Sequence, residues 1–165
     1  MSNDPAARAE PAGDLLRLDR QLCFPLYAAS NLVTRRYRPL LAKLGLTYPQ
    51  YLVMLVLWEH PIQSVGTLGD RLHLDSGTLT PLLKRMERAA LIRRERDPAD
   101  ERRVLVTLTA AGHRLRESAA EVPASLARQL NFATDDAERL RKATHAFIAA
   151  LCGREPETST VKQGG

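Results

Sequence analysis

Three features of the 165-residue chain predict a mainly α-helical fold carrying one small β-hairpin. The apolar share, 44% of residues, comes mainly from Leu, Ala and Val, and only 5% of residues are aromatic, which favours helices over a β-sandwich. Along most of the chain apolar residues recur every three or four positions. Between Leu91 and Leu108 the period changes to alternation. At this length one domain is expected over 14–152, with enough apolar residues for a core that needs no disulfide or metal staple. The segments 1–13 and 153–165 lack periodicity and read as disordered tails.

The elements follow in order. Leu15, Leu18, Leu22, Leu26 and Val33 fall near one face of a first helix ending near Pro39. Pro25 either kinks it or moves its regular start to near Asp19. Thr47 caps a second helix, Tyr48–Trp58, with Pro49 in its first turn. Its apolar run Leu52–Trp58 predicts a buried central helix. Ser64 caps a short third helix with Val65, Leu68 and Leu72 inward, and Asp75 caps a fourth that runs to about Ala90. Leu91–Arg96 and Val104–Leu108 read as two strands, with the charged Asp97–Arg103 as the tip between them. Thr109 caps a fifth helix to about Leu130, kinked at Pro123. A sixth starts at Asp135, with Leu140, Phe147, Ile148 and Leu151 on one side.

A short helix, a tight turn and a second helix make a helix-turn-helix, and the hairpin directly after it makes a wing. The predicted architecture is therefore a winged helix-turn-helix over about 47–109. Apolar faces on the outer helices, about 14–39 and 110–152, exceed what one small domain covers, so a two-fold homodimer through these N- and C-terminal helices is expected.

On the fourth helix Leu79, Leu82, Leu83 and Met86 form the inward stripe. The outward side carries Ser76, Gly77, Thr78, Thr80 and Pro81 at its start, and Lys84, Arg85 and Arg88 behind them. Small residues at the N-terminal end suit approach to base edges in the major groove, and the cations suit phosphates. Pro81 costs about 3 kcal/mol inside an ordinary helix, so its exposed place suggests a shape selected for contact. From Lys84 to Arg103 eight Lys/Arg stand against five Asp/Glu, more than half of the net +5 of the chain. Arg96, Arg102 and Arg103 belong to the wing, where an arginine suits a narrow minor groove, and Asp100 is placed to hold Arg102. A charge run alone is usually a solvated face; joined to this motif it predicts a double-stranded DNA partner.

Other classes are excluded. The longest charge-free run, Leu44–Trp58, has 15 residues and contains a proline, against the roughly 20 apolar residues of a membrane span, so no membrane partner is expected. No basic-then-apolar N-terminus suggests secretion, so a cytoplasmic location is expected. Cys23 and Cys152 form no CxxC pair, and His60, His73, His113 and His145 form no HExxH; neither GxxxxGK[ST], GxGxxG nor GxSxG occurs. No metal or cofactor is expected, and no enzyme activity.

The run Asp100-Glu101-Arg102-Arg103-Val104-Leu105-Val106-Thr107-Leu108-Thr109-Ala110-Ala111-Gly112 resembles the wing signature of the MarR family of dimeric winged-helix regulators. The stretches Leu18–Phe24, Gly45–Tyr51 and Leu74–Glu87 are similar to the organic hydroperoxide resistance regulators within it, and the similarity spans about residues 15–125. The resemblance implies a repressor that holds a pseudo-palindromic operator when reduced. It releases that operator when an organic hydroperoxide oxidises one cysteine, freeing a peroxide-detoxification gene. It implies Cys23 as sensor, supported by Tyr27, Tyr37 and Tyr48, the latter two reaching the partner subunit's cysteine.

A residue-level case runs beside it. Free N–H groups at the start of the first helix favour negative charge, the form in which a thiol attacks peroxide. Phenol hydroxyls can donate to sulfur. Leu22, Phe24, Leu26 and Leu55 would supply an apolar pocket. A lone cysteine is otherwise most often a small buried hydrophobe, and each tyrosine alone is as well explained by core packing. Cys152 is either a displaced resolving thiol or inert, leaving Cys23 to pair with a low-molecular-weight thiol; the second reading is favoured. Three alternatives stay open: a MarR-type regulator answering a phenolic ligand, a thiol peroxidase, and a sequence-blind architectural DNA protein.

Overall fold

The computed structural model describes residues 16–130 and 132–153. The expected tails, apart from Gly153, and Leu15 lie outside the described residues. The chain divides into two compact units, one ending at Leu126 and the other beginning at Ala127.

In the first unit a 3-10 turn, Leu18–Arg20, precedes α1, Cys23–Ala42. Pro25 is the third residue of α1, where its missing N–H breaks no bond, because the first four N–H groups of a helix have no intrahelical acceptor. The expected end near Pro39 is corrected: α1 runs through that proline for another turn. Pro39 is exposed, as is Arg35, whose carbonyl it fails to serve, while Leu41 and the partly buried Tyr37, Leu40 and Leu44 hold the turn against the core.

The second helix, α2 (Tyr48–Glu59), starts where Gln50 Oε1 accepts the Thr47 backbone N–H at 2.8 Å. It is central, with Tyr51, Val53, Met54 and Leu57 buried, but the run Leu52–Trp58 is not buried all round as its composition predicts: Leu55 is exposed. Strand β1, Ile62–Ser64, comes next and has no counterpart in the sequence reading, because three residues are too few to show alternation. Ser64 ends β1 and caps α3 (Val65–Leu72), its hydroxyl accepting the Thr67 N–H at 3.0 Å. The turn out of α3 passes through His73 in the left-handed region, φ 52°. Gly69 admits the close return of the chain, since a Cβ there would lie 2.9 Å from the Leu74 carbonyl oxygen.

Helix α4, Ser76–Arg88, begins at Asp75, whose carboxylate accepts the Thr78 N–H at 2.8 Å. The inward stripe is as the spacing predicts: Leu79, Leu82, Leu83 and Met86 are buried, joined by Leu57, Leu68, Ile92 and Val106 in one core. The helix stops at Arg88 rather than Ala90, because Ala90 turns left-handed at φ 56°. Strand β2 (Ile92–Asp97) is shifted by one residue from the expected Leu91–Arg96, β3 (Asp100–Leu108) starts four residues earlier than expected, and the tip shrinks to Pro98-Ala99. A two-residue turn closes the hairpin because the Ala99 N–H bonds the Asp97 carboxylate at 2.9 Å, beside an irregularity between Arg96 and Asp97. The sheet is antiparallel in the order β1-β3-β2, with Ser64 opposite Leu105 and Arg94 opposite Val106.

Thr109 caps α5 (Ala110–Ala119), accepting the Gly112 N–H at 3.1 Å. The single fifth helix of the sequence reading is two: α6 runs from Glu121 to Leu130. Pro123 explains the break, because it cannot donate to the Ala119 carbonyl four residues back. In the second unit α7, Thr134–Leu151, carries Asp135 and Asp136 in its first turn and an Arg141–Glu138 ion pair of 2.8 Å along its surface. None of its residues is buried.

Gly112 is where α5 meets the turn between α4 and β2. A Cβ there would stand 2.2 Å from the Leu91 carbonyl oxygen, and the Gly112 carbonyl accepts the Trp58 indole N–H at 3.0 Å. Backbone cannot yield as a side chain does. Gly112→Ala is therefore expected to lower unfolding free energy by about 2 kcal/mol or more, and Trp58→Phe by about 1, both read by urea denaturation. A fully stable Gly112→Ala protein would contradict the close approach.

Candidate functional site

Two groups of residues stand out from the packed core of the first unit. The first is the outer surface of α4 and the wing. Ser76, Gly77, Thr78, Pro81, Lys84, Arg85 and Arg88 are exposed and Thr80 half-buried, all on the side away from the core stripe. The hydroxyl of Thr78 also donates to Asp75 at 2.9 Å, so it serves the cap as well as facing outward. That pair and the cap hold the Asp75 carboxyl below its ordinary range. Pro81 sits one turn into α4 without ending it, and Gly77, whose carbonyl it leaves unserved, is exposed.

On the wing Arg96, Arg102 and Arg103 are exposed. Asp100 grips Arg102 in the way its position suggests: Arg102 Nε donates to Oδ1 at 3.0 Å and Nη2 to Oδ2 at 3.3 Å. The guanidinium remains 91% exposed while held in direction, and the contact keeps the Asp100 carboxyl below its usual range. Arg96 donates to the Glu101 carbonyl at 2.8 Å across the hairpin, and Arg103 approaches Asp97 at 3.8 Å. Between α3, α4 and the wing lies a cleft of about 580 Å³ whose walls include Gly66, Thr67, Thr80, Arg94, Arg102 and Arg103. It is mixed in polarity and positively edged, as a surface for a polyanion should be. Arg94 and Glu87, which pair here at 2.7 Å, are not singled out by sequence reasoning; nothing local marks two charges seven residues apart on different elements as partners.

The second group is on α1 and α2. Cys23 is the first residue of α1; its thiol is free and exposed. Leu22, Phe24, Leu26 and Leu55, expected to wall a pocket, are exposed within the protomer, as are Tyr27 (69%) and Leu32. Tyr37 and Tyr48 do come together, ring centroids 4.7 Å apart. They lie far from the sulfur of their own chain: Tyr37 follows Cys23 by 14 residues on one continuous helix, about 21 Å at 1.5 Å per residue. A third ring is missed by sequence reasoning. Tyr51 is buried, 5.8 Å from Tyr37, and meets Trp58 edge-on at 6.3 Å. Burial, then the neighbouring rings, push the Tyr37 phenol up to about 12, and burial raises Tyr48 and Tyr51 as well. These hydroxyls stay protonated, and so remain hydrogen-bond donors. Cys152, at the end of α7 in the second unit, is likewise free and exposed. Among the described residues no group of His, Cys, Asp and Glu is arranged to hold a metal ion, and no helix is long and apolar enough to cross a membrane.

A family profile described as transcriptional regulator SarA/Rot matches residues 35–118. The chain is 46% identical over 138 residues to the organic hydroperoxide resistance transcriptional regulator of Bacillus subtilis, covering 84% of this chain and 94% of that one. Among solved structures it resembles reduced AbfR bound to DNA, the regulator from Staphylococcus epidermidis, at 35% identity and a TM-score of 0.70, covering 84% and 96% of the two chains. It also resembles disulfide-formed AbfR at 37% identity and a TM-score of 0.59, covering 82% and 96%. These relatives are regulators, not enzymes, so the thiol-peroxidase reading is set aside.

The phenol cluster has a measurable signature. Tyr37 ionises near 10.0 when unfolded and about 12 when folded, so between those values the unfolded chain has lost a proton that the folded one keeps. Stability from this group is therefore complete below pH 10 and falls as pH rises toward 12. Tyr37→Phe is expected to flatten that alkaline fall in urea titrations; an unaltered slope would remove the burial argument.

Proposed function

The chain belongs to the MarR family of winged-helix transcriptional regulators, among the organic hydroperoxide resistance regulators, and on that premise we propose that it is a repressor that binds a pseudo-palindromic operator as a reduced homodimer and lets go when an organic hydroperoxide oxidises Cys23. The observation that carries the reading is the position of Cys23: a free, exposed thiol opening α1, set in an apolar strip that its own protomer leaves uncovered. A second copy laid against α1 covers Leu22, Leu26 and Leu32, and is the only source from which a Tyr37–Tyr48 pair can reach that sulfur, given the span of α1 within one chain.

The chemistry is balanced as follows. The Cys23 thiolate attacks one peroxide oxygen. The S–O bond forms as the O–O bond breaks, the organic alcohol leaves, and the sulfur, oxidised by two electrons, becomes sulfenic acid. A second thiol then condenses with it, releasing water and forming a disulfide. The protonated phenols serve as donors to the thiolate and then to the sulfenate oxygen. Disulfide-formed AbfR shows that a relative takes such a state. For this chain a small cellular thiol is the proposed partner, with Cys152 as the alternative. Added bulk at the α1 contact shifts the spacing of the paired α4 helices, which must match half-sites about 34–36 Å apart.

On DNA, the start of α4 enters the major groove, Lys84, Arg85 and Arg88 meet phosphates, and Arg102 enters the minor groove from the wing. Arg102→Ala is expected to weaken operator binding and to reduce the slope of log K against log salt by about one unit; unchanged affinity removes the wing from this scheme. The deciding experiment is a mobility shift on DNA upstream of the protein's own coding sequence, before and after cumene hydroperoxide. Wild type should release the fragment; Cys23→Ser should hold it. Release by Cys23→Ser would favour a ligand-sensing regulator instead. Tyr37→Phe and Tyr48→Phe should slow Cys23 oxidation and leave reduced binding intact. Cys152→Ser should release normally with a small thiol present; failure there makes Cys152 the resolving thiol.

A further inference from the structure

Glu87 and Arg94 are joined by more than one contact. Glu87 Oε1 accepts the backbone N–H of Arg94 at 3.1 Å, and Oε2 accepts Nε at 3.0 Å and Nη2 at 2.7 Å. Both side chains are sheltered, 22% exposed for Arg94 and 35% for Glu87. The pair holds the Glu87 carboxyl below its usual range, so it stays charged. Glu87 follows Thr80 by seven residues and Lys84 by three, the stripe of α4 that carries outward-facing groups. A free carboxylate there would repel phosphate. Instead it is turned onto β2, and its partner Arg94 stands opposite Val106 of β3 and forms a wall of the cleft that Thr80, Arg102 and Arg103 also line.

The root of the wing is anchored by the short link through the left-handed Ala90, by the pairing of β3 with β1 and by Ile92 and Val106 in the core beside α4. Apolar packing of that kind has no preferred direction. The fork of Arg94 on one carboxylate oxygen, with the backbone N–H on the other, adds a directional contact between the side of α4 and β2. We propose that Glu87 and Arg94 form a strut that sets the angle of the wing against α4, making both positioning residues for sequence discrimination, though neither touches a base. The inference rests on the DNA-reading role proposed above. Helix and wing engage one duplex together only when their relative placement is held, and that placement matters most on the matching sequence.

The test begins by selecting, from a pool of random-sequence duplexes, the sequence that wild type retains. Affinity is then measured on that duplex and on random duplex for wild type, Glu87→Gln, and the exchanged pair Glu87→Arg with Arg94→Glu, with thermal melting as a check on folding. Glu87→Gln is expected to lose about tenfold on the selected duplex while holding random duplex at least as tightly, so the specificity ratio falls; the exchanged pair should recover most of it. A carboxylate acting only through its charge would tighten both probes by the same factor, and that outcome overturns the strut. Equal weakening of both probes in step with a lowered melting temperature overturns it too. If wild type selects no sequence, the regulator reading fails and the strut with it; selection by wild type with an unchanged ratio in Glu87→Gln defeats the strut alone.

Discussion

The outward chemistry of this protein depends on how firmly α4 is seated. Leu79, Leu82, Leu83 and Met86 are buried against Leu57 of α2, Leu68 of α3 and the inner side chains Ile92 and Val106 of the sheet. Each such leucine contributes a few kcal/mol that a truncation would forfeit, so the helix neither rolls nor slides without opening the core. That rigidity holds the small exposed groups on the far side of α4, proposed to meet a duplex, at a fixed depth. It also explains how Pro81 is tolerated within the helix: the proline weakens the backbone on the side turned to water, and the apolar stripe holds from the other.

Much of this was legible from local pattern. The 3-4 spacing of the α4 stripe and the Asp75, Ser64 and Thr109 caps are properties of neighbouring residues, and each appears where the sequence places it, whereas the alternation expected of β3 gives one buried residue, Val106, among half-buried neighbours. Asp100 and Arg102 are two residues apart, close enough for their pairing to be read directly. What escaped depends on distance along the chain. Trp58 bonding Gly112 spans 54 residues, and β1 exists only because β3 offers it an edge. Pro39 and Pro123 show that a proline alone does not decide a helix: the first is passed because buried neighbours follow it, and the second breaks a helix that periodicity reads as one. Tyr51 was overlooked because a tyrosine in an apolar run looks like ordinary core, which it also is.

The thiol and the phenols proposed to serve it stand far apart within one protomer. At one end of α1 stands a sulfur among exposed leucines; near the other stand the partly buried, protonated phenols of Tyr37 and Tyr48 beside the buried Tyr51. Tyr27 stands one turn along α1 from the sulfur, but the tilted rings of Tyr37 and Tyr48 are a long helix away. In the proposed homodimer the two come together between copies, because the span of α1 keeps Tyr37 about 21 Å from the sulfur of its own chain.

Ser64 occupies two roles at once, pairing with Leu105 at the sheet edge and accepting the Thr67 N–H at the head of α3. The wing is thus spliced at its root into the helix-turn-helix that it accompanies. A hairpin so attached cannot flap as a separate arm. Any shear of its strands is geared directly into the first helix of the reading head, and a force applied at the tip arrives at the turn as torque.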